Sequence, residues 1–136
     1  MLAAPLIAGN DVRHMSEATR HTLTNKDVIA VDQDPLGVQG LPYKKEDGVE
    51  FWFKPLAHDA WAVAVLNRNR DPRSVRFDWA TEHVEDGLSK RHLEAAPHVY
   101  ALRNLLAGTP AGTTAQPLQV TVPGHDVAMF RLDSQP

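Results

Sequence analysis

Val49-Glu50-Phe51-Trp52-Phe53-Lys54 places Val49, Phe51 and Phe53 on one face of an extended chain and Glu50, Trp52 and Lys54 on the other. This period of two predicts a half-buried strand and decides the fold class. Downstream, Trp61-Ala62-Val63-Ala64-Val65-Leu66 is apolar on both faces, as a central strand requires, and Ala57-His58-Asp59-Ala60 between the two runs has hairpin length. Val75-Arg76-Phe77-Asp78-Trp79 alternates again after a polar turn from Asn67 to Arg73. Leu118 to Val122 and Ala128 to Leu132 flank Pro123-Gly124-His125-Asp126, a pattern that predicts a hairpin. Val99 to Leu102 returns to the sheet and Ala107 to Gly112 reads as a loop. The charged stretch from Ala80 to Ala96 reads either as a long loop or as a short helix around Ser89-Lys90-Arg91-His92-Leu93. Short strands, turn clusters and no long helices between them predict a mainly β chain folded as an antiparallel β-sandwich, running from about Gly37 to Leu132.

Working back toward the start, the periodicity changes. Met1 to Gly9 is apolar, lacks a positively charged leader and is too short to span a bilayer, so Leu2 to Ala8 reads as a buried strand rather than a signal peptide or a membrane segment. Asn10 to Met15 is turn-like, and Ser16 caps a helix that continues through Leu23. Asn25 or Thr24 caps a second helix from Lys26 to Val31, where Asp27 favours the positive end of the helix dipole. Pro35 and Gly37 stop the helical pattern. The chain therefore divides into a strand–helix segment, residues 1–36, and a β domain, residues 37–136. An isolated apolar strand leaves backbone groups unpaired, so Leu2 to Ala8 is expected to pack on its own β domain, to pair with another copy or partner, or to be disordered.

Composition excludes several classes of function. With 14 basic and 17 acidic residues the formal charge is −3, which provides no field for a nucleic-acid backbone. There is no cysteine, which removes disulfides, thiol catalysis and thiolate metal sites. No Asn-x-Ser/Thr acceptor occurs, and localisation stays open beyond the expectation of a soluble domain.

Candidate chemistry is sparse. His14, His21, His58, His83, His92, His98 and His125 show no pair at metal-ligand spacing, and they read as surface or turn residues; His125, after Gly124, suits an unusual backbone angle. Asp32 and Asp34 in Asp32-Gln33-Asp34-Pro35 raise an acid–base pair or a calcium loop, against the favoured Asx-type turn. Asn10-Asp11, following the first strand, is a pocket-lining candidate that one strand cannot complete. Trp52, Trp61 and Trp79 are candidates for a sugar-stacking platform, with core packing as the alternative. No catalytic, metal or cofactor residue is assigned.

Taken together, Leu2-Ala3-Ala4-Pro5-Leu6-Ile7-Ala8-Gly9-Asn10-Asp11-Val12-Arg13, Leu23 to Gly40, Phe51-Trp52-Phe53-Lys54-Pro55-Leu56 and Trp61-Ala62-Val63-Ala64-Val65-Leu66-Asn67-Arg68 resemble the carboxyl-terminal part of alpha-galactosidases of glycoside hydrolase family 27. The resemblance extends to the region of His125 and is weakest from Ala80 to Val99. It implies that Leu2 to Gly9 is the last strand of a (β/α)8 barrel, that Ser16 to Asp32 is the helical region after it, and that the remainder is a carboxyl-terminal antiparallel β-sandwich. The nucleophile and the acid/base aspartate of that family lie on earlier strands, so this chain alone is expected to be inactive, as a truncated gene product or the partner of a missing barrel. The whole enzyme is expected to take carbohydrate, with terminal alpha-galactosides, alpha-N-acetylgalactosaminides and beta-L-arabinopyranosides all handled within the family. A non-catalytic carbohydrate-binding or interaction module is the alternative. Where the family commonly shows Arg-Asp-Leu-Trp, this chain has Arg103-Asn104-Leu105-Leu106, a departure that bears on local packing and on the loop to Thr113.

Overall fold

A computed structural model describes residues 1–95 and 97–135; Ala96, the end of the stretch read as loop or helix, lies outside the described residues. Two short helices, α1 (Glu17–Leu23) and α2 (Lys26–Asp32), precede ten strands: β1 (Leu41–Glu46), β2 (Val49–Pro55), β3 (Trp61–Asn67), β4 (Arg73–Phe77), β5 (Val84–Glu85), β6 (His92–Leu93), β7 (Tyr100–Asn104), β8 (Thr109–Thr113), β9 (Leu118–Val122) and β10 (Val127–Ser134). One layer is a six-stranded antiparallel sheet in the order β1-β2-β3-β10-β7-β8; the other comprises the pairs β4-β9 and β5-β6. The expected mainly β, antiparallel sandwich is the fold.

Alternation builds the core between the layers. Val49, Phe51 and Phe53 of β2, Val63 and Val65 of β3, Leu102 of β7 and Phe130 and Leu132 of β10 meet Phe77 of β4, Val84 of β5, Leu93 of β6, and Leu118 and Val122 of β9. The Phe77 ring centroid lies 4.8 Å from that of Trp79 at an interplanar angle of 62°, an edge-on contact that suits the aromatic quadrupole.

Three features depart from the sequence reading, each for a local reason. First, β2 is not half-buried: Glu50 and Lys54 on its polar face are 8% and 0% exposed, because the chain leading out of α2 covers Lys54 while Trp52, Arg68 and Lys45 enclose Glu50. Secondly, β9 and β10 do not form a hairpin. β9 pairs with β4, while β10 is flanked on both sides by β3 and β7, so the Pro123 to Asp126 turn carries the chain from one layer to the other. Thirdly, residues 80–95 form no helix; Val84 and Glu85 pair with Leu93 and His92 across a turn. Two strands had gone unread. β1 and β2 are joined by Asp47-Gly48, with φ of 47° and 75°, the backbone of a two-residue hairpin that an Asp-Gly pair announces. β8 contains Pro110 and is flanked by a Gly108 φ of 68°, and such breakers made a loop the simpler reading.

The interlayer crossing is held by Asn67, the last residue of β3 and fully buried. Its Nδ2 donates to the carbonyls of Asp71, Val122 and Pro123 at 2.9, 3.1 and 3.0 Å, and its Oδ1 accepts from Asn69 N at 3.0 Å. Asn67 N donates to Asp126 O at 2.9 Å and His125 N to Asn69 O at 3.0 Å, with His125 at φ 55° as its turn position suggested. A side chain at Gly124 would overlap the Arg70 carbonyl. Asn67→Ala should therefore lower unfolding free energy by about 3 kcal/mol, since it orphans buried carbonyls. Gly124→Ala should cost at least about 2 kcal/mol through forced backbone movement. Urea denaturation with an unchanged slope and a lowered midpoint is the expected readout for both.

Candidate functional site

The second face of the six-stranded sheet carries a smaller apolar cluster of its own. Along it β3 presents Ala62 and Ala64, small enough for a helix to approach closely, and Leu56, Leu105 and Met129 surround them. α2 lies here. Asn25 Oδ1 accepts from Val28 N at 3.0 Å, capping the helix, while its Nδ2 donates to Leu105 O at 3.0 Å and fixes the helix start to the sheet. Val31 is completely buried among these residues, a contribution of about 2 kcal/mol for a side chain of its size. Arg103 Nη2 reaches Asp27 at 3.0 Å from the neighbouring strand β7.

The chain between α2 and β1 is clasped by two charged residues. Asp34 Oδ1 accepts from Leu36 N at 3.0 Å, an Asx turn, and from Ala57 N at 2.9 Å, which ties the turn to the β2–β3 hairpin. Asp34 is thus a structural residue, as favoured from its spacing. Lys54 runs beneath Gly40 and donates from Nζ to Val38 O at 2.5 Å. Burial pushes its ammonium below the ordinary lysine range, and the nearby carboxylates of Asp34 and Asp32 oppose that shift.

At the other end of β2 this face is open. Trp52, Leu66 and Val127 are half-buried there. Glu50 accepts from Trp52 Nε1 at 3.1 Å and from Arg68 Nε at 3.3 Å, with Lys45 Nζ 3.5 Å away, and the indole and guanidinium bonds hold its carboxyl below the usual range. Beside α2, the segment from Leu2 to Gly9 forms no strand and makes no strand pairing, with Ala3 at a φ of 51°, which corrects the expected buried strand. A strand needs neighbours on its hydrogen-bonding edges, and the described residues supply none. Leu2, Leu6 and Ile7 are 63%, 59% and 87% exposed, and α1 buries no residue at all. This segment, Leu23 and Ile29 line an apolar groove of about 450 Å³. Met1 alone packs inward, its carbonyl accepting from Gly40 N at 2.7 Å.

The other candidates do not converge. Asp11 binds Arg13 and His14 on the surface, and among the described residues no cluster of His, Asp and Glu side chains forms a metal-holding group. Trp61 and Trp79 are 1% and 3% exposed, so no three-tryptophan platform exists; Arg91 stacks over the Trp61 ring at 5.6 Å instead. A cleft of about 580 Å³ beside Trp79, lined by Glu82, His83, Glu85, His92 and Glu94, presents the edge of the core rather than an aromatic face. In the departing segment, Asn104 Oδ1 accepts from both Leu106 N and Ala107 N at 3.0 Å and closes the turn, while Leu105 is buried under α2. No described helix is long and apolar enough to cross a membrane.

An antiparallel sandwich with one closed core, and with a helix and an apolar patch on the second face of its larger sheet, is the class of domain that the fold defines. Residues 46–132 match the alpha galactosidase C-terminal beta sandwich domain, and the chain belongs to that family. Over 131 residues it is 40% identical to alpha-galactosidase A of Cellvibrio japonicus, covering 96% of this chain and 32% of that protein. It is 49% identical to human alpha-galactosidase A over 76 residues, 54% of this chain and 18% of that one. The fold is shared with alpha-galactosidase I of Mortierella vinacea, with a TM-score of 0.80 and 24% identity over 97% of this chain and 32% of the other. The chain thus spans at most about a third of the length of these relatives.

Lys54 gives this junction a pH signature. Because its folded pKa is lowered, the ionised form weakens the folded state at neutral pH, and that cost is relieved as pH rises through the folded value toward the unfolded one near 10.5. Lys54→Met should remove this rise in stability on the alkaline side while keeping the volume filled, whereas Lys54→Ala should be less stable throughout. Urea midpoints between pH 7 and 10 for the three proteins would test it; parallel curves for wild type and Lys54→Met would contradict it.

Proposed function

We propose that this chain is the carboxyl-terminal, non-catalytic portion of a retaining glycoside hydrolase acting on terminal alpha-D-galactosides, and that the catalytic carboxylates stand on a barrel formed by residues that precede it. The observation that carries the reading is the two-sided use of the six-stranded sheet. One face closes the sandwich core, while the other carries α2, the exposed apolar segment Leu2 to Ala8 and the open patch of Trp52, Leu66 and Val127. Retaining hydrolysis needs two carboxyl groups about 5 Å apart on either side of the scissile bond, one nucleophilic and one protonated. The acidic residues prominent here serve other ends: Asp34 holds a turn, Asp27 and Glu50 hold arginines, and Asp86 Oδ2 binds Ser89.

On this reading the barrel covers Leu2 to Ala8 and gives that segment the strand neighbours it lacks, and carbohydrate is handled on the barrel side. The sandwich supports the barrel mechanically. It does not touch the reacting sugar.

The purified chain should show no turnover of an aryl alpha-galactoside. A protein with the full length of the relatives, ending in this sequence, should release alpha-galactose with retention and lose most activity when residues 37–136 are deleted. Tryptophan fluorescence of the chain should be unmoved by galactose or melibiose. Turnover by the isolated chain that is abolished by a substitution within it would sink the proposal, and a saturable fluorescence response would favour a carbohydrate-binding module.

A further inference from the structure

Glu-Asp-Gly occurs twice in the sequence, as Glu46-Asp47-Gly48 and as Glu85-Asp86-Gly87. In an Asp-Gly pair the nitrogen after the aspartate belongs to a residue with no side chain to crowd it, so the carboxyl can close on that nitrogen in a five-membered ring. The two tripeptides are identical. Any difference in their chemistry therefore comes from the fold.

Asp86 is shut off. It is 3% exposed, and its Oδ2 accepts from Ser89 N and Ser89 Oγ at 2.6 and 2.5 Å. Its N donates to Arg91 O and its O accepts from Lys90 N, both at 2.9 Å, so carboxyl and backbone are fixed together. Asp47 stands instead at the exposed tip of the β1–β2 hairpin. Its backbone O accepts from Asn69 Nδ2 at 2.8 Å, but among the described residues its carboxyl makes no hydrogen bond or ion pair, and Gly48 N donates to no acceptor. Its φ of 47° lies in the left-handed region, which a residue with a side chain occupies at a cost. β1 ends its sheet with β2 as its one neighbour, and the register between them shifts between Pro42 and Lys44, so the tip closes a ladder supported on one side alone.

We propose that Asp47 is a site of spontaneous covalent modification, isomerisation to isoaspartate, which the fold permits there and blocks at Asp86. Gly48 N attacks Cγ of the protonated Asp47 carboxyl; the N–H proton and the carboxyl hydroxyl leave as one water, and a succinimide forms. Water then adds at the former backbone carbonyl carbon. The bond from that carbon to Gly48 N breaks, a proton returns to the leaving nitrogen, and the chain continues through Cγ with a free α-carboxylate. Composition is unchanged, but the backbone is longer by one carbon. The hairpin has no room for it: a Cβ on Gly48 would lie 2.6 Å from Asn69 Oδ1, and Asn69 Nδ2 bonds both Asp47 O and, at 3.0 Å, Asn67 Oδ1. A longer turn therefore displaces Asn69 and loosens the crossing that Asn67 holds. The product is an exposed substrate for a methyltransferase that esterifies isoaspartyl carboxyls. This chemistry is independent of any role in galactoside hydrolysis.

The test ages the full chain at neutral pH and body temperature, once folded and once in concentrated urea. Isoaspartate is counted by methyl transfer from labelled S-adenosylmethionine with an isoaspartyl methyltransferase, and located by radical fragmentation of the peptides. In urea the two aspartates should react at similar rates, whereas in the folded chain Asp47 should isomerise at least about tenfold faster than Asp86. Asp47→Glu, whose longer side chain cannot close the five-membered ring, should remove most methyl incorporation from the folded chain. The aged fraction should exchange the Asn69 and His125 amide hydrogens faster than the fresh protein. If Asp47→Glu fails to fold, the comparison of the two sites in the wild-type chain decides alone. A folded chain that leaves Asp47 intact while the unfolded chain isomerises there would overturn the proposal by showing that the turn protects it, and so would equal rates at Asp47 and Asp86 in the folded chain. Unchanged exchange at Asn69 and His125 would overturn the coupling to the crossing.

Discussion

The buried amide of Asn67 is the interaction on which the two-layer arrangement depends. β3 and β10 lie side by side in one sheet, yet the residues that lead into β10 come from β9 in the other. The chain must therefore leave one layer and enter the next within Pro123 to Asp126, and a crossing that short leaves carbonyls facing inward with no ladder to satisfy them. Those of Val122 and Pro123, with that of Asp71 from the link between β3 and β4, are met by a single side-chain nitrogen, which shares its two N–H groups among the three. Only an amide can do this while accepting from Asn69 through its oxygen. A carboxylate would confront three carbonyls with no proton to offer, and an aliphatic side chain would leave them dry.

From that fixed crossing the burial of the sheet follows. β10 is locked between β3 and β7, so its alternation commits Phe130 and Leu132 to the inner core and Met129 to the opposite face. Met129 then lies level with Ala64 and Trp52, its register partners across β3 and β2, and the row forms the floor on which α2 rests. The same sheet is thus an interior wall of the sandwich on one side and the seat of α2 on the other. A sheet buried on one face alone would have no use for Val31, Leu105 and Met129 on its back.

How much of this could be read from the chain depends on the range of the interactions involved. Local patterns were legible: the alternation of Val49 to Lys54, the Ser16 and Asn25 caps, the apolar run of β3 and the Asx turn at Asp34 all act within a few residues. The hairpin assigned to β9 and β10 failed because strand pairing is decided by what lies on both edges, and β3 and β7 had already claimed β10. The polar face of β2 looked solvated because nothing within that strand tells of the segment after α2, with Val38 and Gly40, that folds back over Lys54. Leu2 to Ala8 has the composition of a buried strand and remains exposed, since composition records the neighbours a segment is suited to, and those are absent from the described residues. Of the candidate residues, the Asp34 turn was legible in its spacing, whereas the seating of α2 on the back of the sheet could be seen only from the structure.

The two charges on that back surface give it a direction. Lys54 and Glu50 stand four residues apart on the same face of β2, so they mark opposite ends of one row. The ammonium is satisfied from within by Val38 O and the field of Asp34 and Asp32, whereas the carboxylate is satisfied from the rim by Trp52, Arg68 and Lys45. A buried cation enclosed by its own chain tolerates no further cover and needs none; a carboxylate held by exposed arginine and lysine leaves the indole beside it free to be covered. The face is therefore open over Trp52, Leu66 and Val127 at the Glu50 end and closed at the Lys54 end by the chain that follows α2. The polar pair stabilises the sheet little, since each charge gives up hydration for what it gains, but it fixes which half of an otherwise apolar face remains available.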